Sequence, residues 1–494
     1  MPKRVLTLVA GASLLLATAV DGAAAETARP ISVASCEPLQ LSLAASTWCG
    51  SDVLDALFTG LVEYDPKTGA TVNAMARSIT TTDNRLFTIH LKKGWTFHDG
   101  TEVTARHYVD SWNRAAATNS YLFERIQGYG SRRMSGLRVT GEHSFTVQLA
   151  KPYGPFPNLL GALAFSPARD SRLSLGRVVG NGPYELVSWK SGGKAVLKAV
   201  KGYPGPRKPQ AATLHYDMID GGLGHLALKK GLVDVADLPD RASHPRRVVQ
   251  PFAEIMTIDL PFNKPAVARS VDFRRALSMA IDRKKVLGAA FGAERAPADA
   301  LVPPGALGAR RDTCGVWCTY APAKARALLK GPEVTLPLHY NSDGGHRKWV
   351  EAVARSINTT LAGKVKVVPT PRPRFGVISD EAAKGRLNGA FTMAWLFDQP
   401  HIANFLAPMY RTGAPANYQG YRNKRFDALV DAADRQPSSS RAIGMYRDAE
   451  RLLINDMVAI PVGFYRSVTG YSARVAPPAL TPFGWVDPTS LRTR

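Results

Sequence analysis

The chain has 494 residues, with 63 Lys and Arg against 40 Asp and Glu and a formal charge of +23. With 45% hydrophobic and only 21% charged residues, global disorder is excluded, and the length exceeds what one hydrophobic core organises, so two or three domains are expected. The basic excess does not indicate a nucleic-acid partner, because Lys and Arg are dispersed and not gathered on one helix with interleaved aromatics; it leaves attraction to anionic envelope polymers or lipid headgroups, or a cleft biased towards acidic ligands.

At the start of the chain, Lys3 and Arg4 lead into the apolar run Val5 to Val20 and then Ala23-Ala24-Ala25, which predicts an export signal over residues 1–25. Val33-Ala34-Ser35-Cys36 offers a lipid anchor on Cys36 as an alternative, although Asp21, Glu26 and Arg29 separate it from the apolar run. No later run approaches the length needed to span a bilayer. The cysteines are Cys36, Cys49, Cys314 and Cys318, and an even count in an exported chain predicts disulfides, paired by proximity as 36 with 49 and 314 with 318. A disulfide and a lipid on Cys36 exclude each other. Cys314 and Cys318 have no His or second Cys pair nearby in sequence, so neither a metal nor a cofactor is expected.

Further along, Val53, Leu54, Leu57 and Phe58 share one helical face before Gly60, and Asp65-Pro66 with Thr68-Gly69 make a turn. Phe87, Ile89 and Leu91 alternate with polar residues as a strand with one wet face. His98-Asp99-Gly100 supplies a turn, and Thr104 caps a helix that carries Tyr108, Val109 and Trp112. His143 to Leu149 alternates as a strand, and the Pro- and Gly-rich segment 151–167 marks a domain edge. Thr213 to Ile219 and the helix Leu223 to Lys230 open a strand-helix order that continues with an extended piece from Glu254 to Leu260. Phe273, Ala276, Leu277, Ala280 and Ile281 then form a buried helical stripe, ended by Asp282-Arg283 as a charged pair. The strand Val334 to Tyr340, the helix Lys348 to Leu361 and the strand Val365 to Val368 repeat the order, and the Pro/Arg run 369–374 reads as a connector. Met393 to Pro400 places Asp398 beside aromatics at the end of an apolar strand, where a carboxylate is costly unless it finds a partner. A helix and a strand are expected over 452–465. No G-x-S-x-G, H-E-x-x-H or Cys-His constellation indicates an enzyme.

Several of these segments together resemble the family 5 extracellular solute-binding proteins, the dipeptide- and oligopeptide-binding components of ABC importers. Lys93, Phe97, Asp99, Gly100, Thr101, Val103, Thr104, Ala105, Ser111 and Trp112 keep the family's spacing, as do Leu57, Gly60, Leu61, Tyr64 and Asp65. Gly180, Gly182, Pro183, Tyr184, Leu186 and Trp189 follow a G-T-G-P-Y-x-L-x-x-W pattern with Asn181 in place of Thr, and Arg274, Ala276, Ala280, Ile281, Asp282 and Arg283 follow R-x-A-x-x-x-A-I-D-R.

The resemblance implies an α/β, two-lobed periplasmic-binding-protein-like fold of type II, cluster C-like, with an extra small domain. Lobe I is expected over 26–50, 170–265 and 470–494, the small domain over 51–169 and lobe II over 266–469. It also implies a monomer without catalytic activity that takes a short peptide or other small-molecule ligand between closing lobes and delivers it to an ABC permease in the membrane. The implied location is the extracellular face or the periplasm. Asp398, at W-x-x-D spacing from Trp395, is the expected carboxylate for the ligand's α-ammonium, with Phe397, Asn417 and Tyr418 as further ligand-binding residues. A fold of this kind repurposed for a non-peptide, anionic metabolite, or as a chaperone, stands as the alternative.

Overall fold

The computed structural model describes residues 29–494 except 39–40, 44–48, 119–120, 170–172, 174–176, 220–221, 240–242, 263–265 and 293–294. The expected export signal lies outside the described residues.

An 11-stranded sheet runs through both lobes. Its strand order is Val365–Arg372, Val334–Asn341, Ala390–Leu396, Arg247–Asp259, Ala459–Tyr471, Val235–Asp237, Ile31–Ser35, Thr213–Met218, Lys194–Ala199 and Tyr184–Trp189, with Ala296–Pro297 added against 459–471. Two strands of 13 residues, Arg247–Asp259 and Ala459–Tyr471, pair antiparallel and belong to both lobes. Towards one end, 469–471 pairs with Val235–Asp237 of the first lobe; towards the other, 254–259 pairs with the strand Ala390–Leu396 of the second. Their register shifts between Pro251 and Ile255, where proline has no N–H for the ladder, so the crossing between lobes coincides with a break in regular pairing. The strand Ala459–Tyr471 thus runs unbroken through 469/470, one of the positions at which a change of lobe is expected.

The stretch from Leu86 to Trp112 packs as part of a separate small unit. Leu86–Leu91 lies in a separate four-stranded sheet with Ala76–Thr80, Ser144–Gln148 and Leu137–Gly141. The helix Ala105–Ala117 begins after Thr104, whose backbone N–H donates to His107 Nδ1 at 3.0 Å. Tyr108 stacks on Phe145 at 5.6 Å, and Trp112 meets Phe165 edge-on at 5.0 Å while its Nε1–H donates to the Phe165 carbonyl at 3.0 Å. His98 closes the unit onto the Gly180–Pro183 turn: its Nδ1 accepts from the Gly180 N–H at 3.3 Å, and its Nε2 lies 3.1 Å from the Gly182 carbonyl. One hydrophobic cluster joins this small sheet to the second lobe, and another fills the first lobe. The face of the helix Ser51–Leu57 that carries Val53, Leu54 and Leu57 packs into the first-lobe cluster.

Two sequence expectations are corrected. The run from 369 does not leave the sheet, because Val365–Arg372 continues as a strand through Pro369 and Pro371; it is the edge strand, where a residue without an N–H costs no ladder bond on the open side. Asp282 and Arg283, expected as a charged pair, have separate partners. Asp282 caps the next helix, accepting from the Lys285 N–H at 3.0 Å, and Arg283 is buried.

Both expected disulfides are present, Cys36 with Cys49 and Cys314 with Cys318. A lipid on Cys36 is therefore excluded, and cleavage before it would also remove the strand Ile31–Ser35 from the middle of the sheet. Closing the 36–49 loop stabilises by about 2–3 kcal/mol on loop-entropy grounds. Cys49→Ala is expected to lose that much in urea unfolding, and a thiol titration of the unfolded wild-type chain to find no free sulfhydryl.

Asp259 is 2% exposed, and Thr257 Oγ1 donates to it at 2.6 Å. Burial pushes its carboxyl up to about 7 from 3.8. The folded state therefore holds its proton more tightly than the unfolded state, so this group removes stability as pH rises from about 4 to 7. Asp259→Asn is expected to stabilise the protein by roughly 2–4 kcal/mol at about pH 8 and by little at about pH 4, read from thermal unfolding at the two values.

Candidate functional site

A cavity of about 560 Å³, in the range that holds small ligands, opens where the small domain, the second-lobe strand end and a C-terminal hairpin meet. Its second-lobe wall is built by the strand Ala390–Leu396. Ala390 to Met393 are buried in the sheet, and after Leu396 the chain leaves it, so Phe397 turns inward and Asp398 faces the cavity. Asn404, on the helix Ala403–Tyr410, fixes this corner with one amide. Its Oδ1 accepts from the Asp398 N–H at 3.0 Å and from Trp395 Nε1 at 3.4 Å, and its Nδ2 donates to Asp398 Oδ2 at 3.2 Å. From across the cleft, Tyr121 O–H donates to the other carboxylate oxygen of Asp398. Burial raises the Asp398 carboxyl above the ordinary range, against the lowering by these two donors and by the Arg125 charge.

The opposite walls are aromatic. Tyr64, whose O–H donates to the Asn158 carbonyl at 2.7 Å, meets Phe483 edge-on at 5.7 Å; Phe483 in turn contacts Phe397 at 5.0 Å and stacks on Trp485 at 5.3 Å. Phe483 stands on a hairpin closed by Thr481 N–H to Trp485 carbonyl at 2.7 Å and Gly484 N–H to Thr481 carbonyl at 2.8 Å. Gly161 is required beside Tyr64, since a Cβ there would lie 2.5 Å from the phenol ring.

The electrostatics of the cavity oppose those of the chain. Asp55, Glu63, Asp65, Asp398 and Asp487 line it, and among the described residues Arg207 is the only Lys or Arg that does. Arg207 bridges three of the acids, lying 3.0 Å from Asp55, 3.3 Å from Glu63 and 3.4 Å from Asp487; burial works against its charge, and the three carboxylates together more than offset that, so the guanidinium stays protonated. The open expectation of a cleft for acidic ligands is thereby corrected: the +23 resides elsewhere on the molecule, and the cavity keeps an excess of carboxylates.

Of the sequence-chosen site residues, Phe397 and Asp398 line this cavity, and Trp395 joins them through Asn404. Asn417 and Tyr418 do not line it. Asn417 bonds the Arg411 carbonyl at 2.9 Å and both backbone groups of Tyr421, and Tyr418 packs edge-on against Phe375 at 5.9 Å. The residues that the sequence did not single out are Asn404, Tyr121, Phe483 and the Arg207 cluster; besides Asp398, the lining residues Gly60, Tyr64 and Asp65 carry a motif signal.

Comparison with known proteins gives a consistent result. The family model described as "Bacterial extracellular solute-binding proteins, family 5 Middle" matches residues 70–417. The chain is 23% identical over 445 residues to the dipeptide-binding protein DppE of Bacillus subtilis (strain 168), covering 82% of this chain and 80% of that one. It is 24% identical over 488 residues to the periplasmic oligopeptide-binding protein OppA of Escherichia coli (strain K12), covering 89% and 86%. The solved structure described as the unliganded open form of the periplasmic murein tripeptide-binding protein MppA superposes with a TM-score of 0.83 at 20% identity, covering 94% of this chain and 97% of that one.

Proposed function

The chain belongs to the bacterial extracellular solute-binding proteins of family 5, a family of carriers, and from that membership together with the cleft we propose that it captures short peptides with a free amino terminus between its lobes and delivers them to an ABC permease. The observation that carries this reading is the corner at Asp398. A carboxylate oriented by Asn404, at the exit of a sheet strand and facing an aromatic cavity, is built to receive a cationic group. Beside it, the strand Ala390–Leu396 pairs with 254–259 on one side and with Val334–Asn341 at Ala390 and Phe391 on the other, so the far side of its Leu396 end is where an extended ligand would pair. The names of the relatives, dipeptide- and oligopeptide-binding, accord with this. The excess of carboxylates in the lining favours cationic ligands over the anionic metabolite of the alternative. The disulfides suit an oxidising, extracytoplasmic location, and among the described residues no helix is long and apolar enough to cross a membrane.

Mass spectrometry of the small molecules that stay with the protein through purification tests the proposal. A mixture of short peptides is the expected result; a single acidic metabolite overturns it. A second test uses pH. The ligand's ammonium pairs with the ionised carboxylate, and the folded carboxyl titrates above the ordinary value of 3.8. Affinity for a free-amine peptide is therefore expected to fall as pH is lowered from about 7 towards 4, and Asp398→Asn to flatten that dependence in calorimetric titrations.

A further inference from the structure

A second cavity, of about 310 Å³, lies in the first lobe outside the carboxyl ends of three strands. Ile31–Ser35 runs parallel to Thr213–Met218 and to Val235–Asp237, and the crevice beyond the ends of parallel strands is where open α/β sheets take ligands. Asp52 and Asp237 line it, and among the described residues no Lys, Arg or His does. Ser35 Oγ and the Val53 N–H donate to Asp52 at 3.0 and 2.9 Å, both to Oδ1, and Thr469 Oγ1 donates to Asp237 Oδ1 at 3.0 Å. These bonds fix the two carboxylates and leave their charges unbalanced.

A third group points to a ligand independently of the acids. Tyr216 lines the same cavity and is 1% exposed, yet its hydroxyl has no hydrogen-bond partner among the described residues. A buried hydroxyl without a partner costs about 1–3 kcal/mol, and here it sits where the charge of Asp52 reaches it. Two carboxylates are too few oxygens for a divalent cation, and no group of three or more metal-ligating side chains exists among the described residues. A head group with several N–H donors, by contrast, can satisfy both acids and the hydroxyl together.

We propose that this cavity is a second cation site, which seats the ammonium or guanidinium head of an organic cation between Asp52, Asp237 and the Tyr216 hydroxyl. Trp485 belongs to the walls of both cavities, so the site adjoins the main cleft. If the peptide reading of that cleft holds, on which this step rests, the head group is the basic side chain of the captured peptide, and the protein prefers peptides that contain Lys or Arg.

The test compares a free-amine trialanine with tripeptides carrying one lysine, and adds n-butylammonium and butylguanidinium as probes without a peptide. The wild type is expected to bind at least one lysine peptide about tenfold or more tightly than trialanine, and Asp52→Asn/Asp237→Asn to abolish that ratio. Tyr216→Phe, which keeps the ring packing, is expected to reduce it. Far-UV circular dichroism shows that each variant is folded. If no peptide binds but the butyl cations do, and the double variant loses them, the peptide reading fails and the cation site stands. Absence of a lysine preference together with absence of butyl-cation binding overturns the site, as does a preference that survives in a folded double variant.

Discussion

Asp398→Ala is expected to weaken binding of a free-amine tripeptide by roughly 30-fold to 5,000-fold, and binding of its N-acetylated form far less, because truncating one member of an enclosed charge pair costs about 2–5 kcal/mol. The range is wide because the ligand-free carboxylate is already held: Tyr121 and Asn404 donate to its two oxygens. An arriving ammonium adds to that arrangement or displaces Tyr121, so the net gain is smaller than that of a charge meeting an unpaired acid. Asn404→Ala separates charge from orientation. It retains the carboxylate but releases both the Asp398 backbone N–H and the Trp395 indole from one shared oxygen, so it should lose less affinity than Asp398→Ala and keep part of the preference for a free amine. Calorimetry with the two peptides checks both, and equal losses for free and acetylated peptide on Asp398→Ala would remove Asp398 from the role.

What could be read from the sequence was what is local. The strand Leu86–Leu91 announces itself by alternation, and the helix after Thr104 by its cap and by Tyr108 and Trp112 on one face; all of these have their determinants within a few residues. The long strands outrun their sequence signal because the alternation that marks a strand fails when both faces are covered: Ala459 to Phe464 are all buried in unbroken succession. The acidity of the cleft was invisible for a different reason. Asp55, Glu63, Asp398 and Asp487 are spread over more than four hundred residues and meet only through the topology, while composition reports the opposite sign. Trp395 and Asp398 were found through the W-x-x-D spacing of a known family, whereas Asn404, which orients them, follows six residues after Asp398 with no pattern to mark it.

Arg283 shows the same limit inside the core, and its replacement should have the largest effect on stability. Expected to end an apolar helical stripe as half of a charged pair, it sits 4% exposed and uses its guanidinium to gather neutral acceptors. Nε donates to the Pro461 carbonyl at 2.7 Å, Nη1 to the carbonyls of Ser278 at 3.0 Å and Cys318 at 2.9 Å, and Nη2 to Ser278 Oγ at 2.7 Å. Burial without a carboxylate partner pushes its pKa down to about 9. One side chain thus ties the helix Val271–Met279, the loop at the Cys314–Cys318 disulfide and the crossing strand Ala459–Tyr471. Replacing a buried charge by an apolar residue can be neutral when its partners are replaced too, but here most of the acceptors are main-chain carbonyls and remain. Arg283→Met is therefore expected to cost about 3–5 kcal/mol in urea unfolding. Arg283→Lys should recover only part of it, since an ammonium cannot span the donors of a planar fork. Arg274 holds the carbonyls of Asp456 and Met457 just ahead of the same strand, each at 3.0 Å from Nε, so the Arg274→Met and Arg283→Met losses should not add. An unchanged urea midpoint for Arg283→Met would show that these carbonyls find other partners and that the guanidinium does not hold the crossing strand in place.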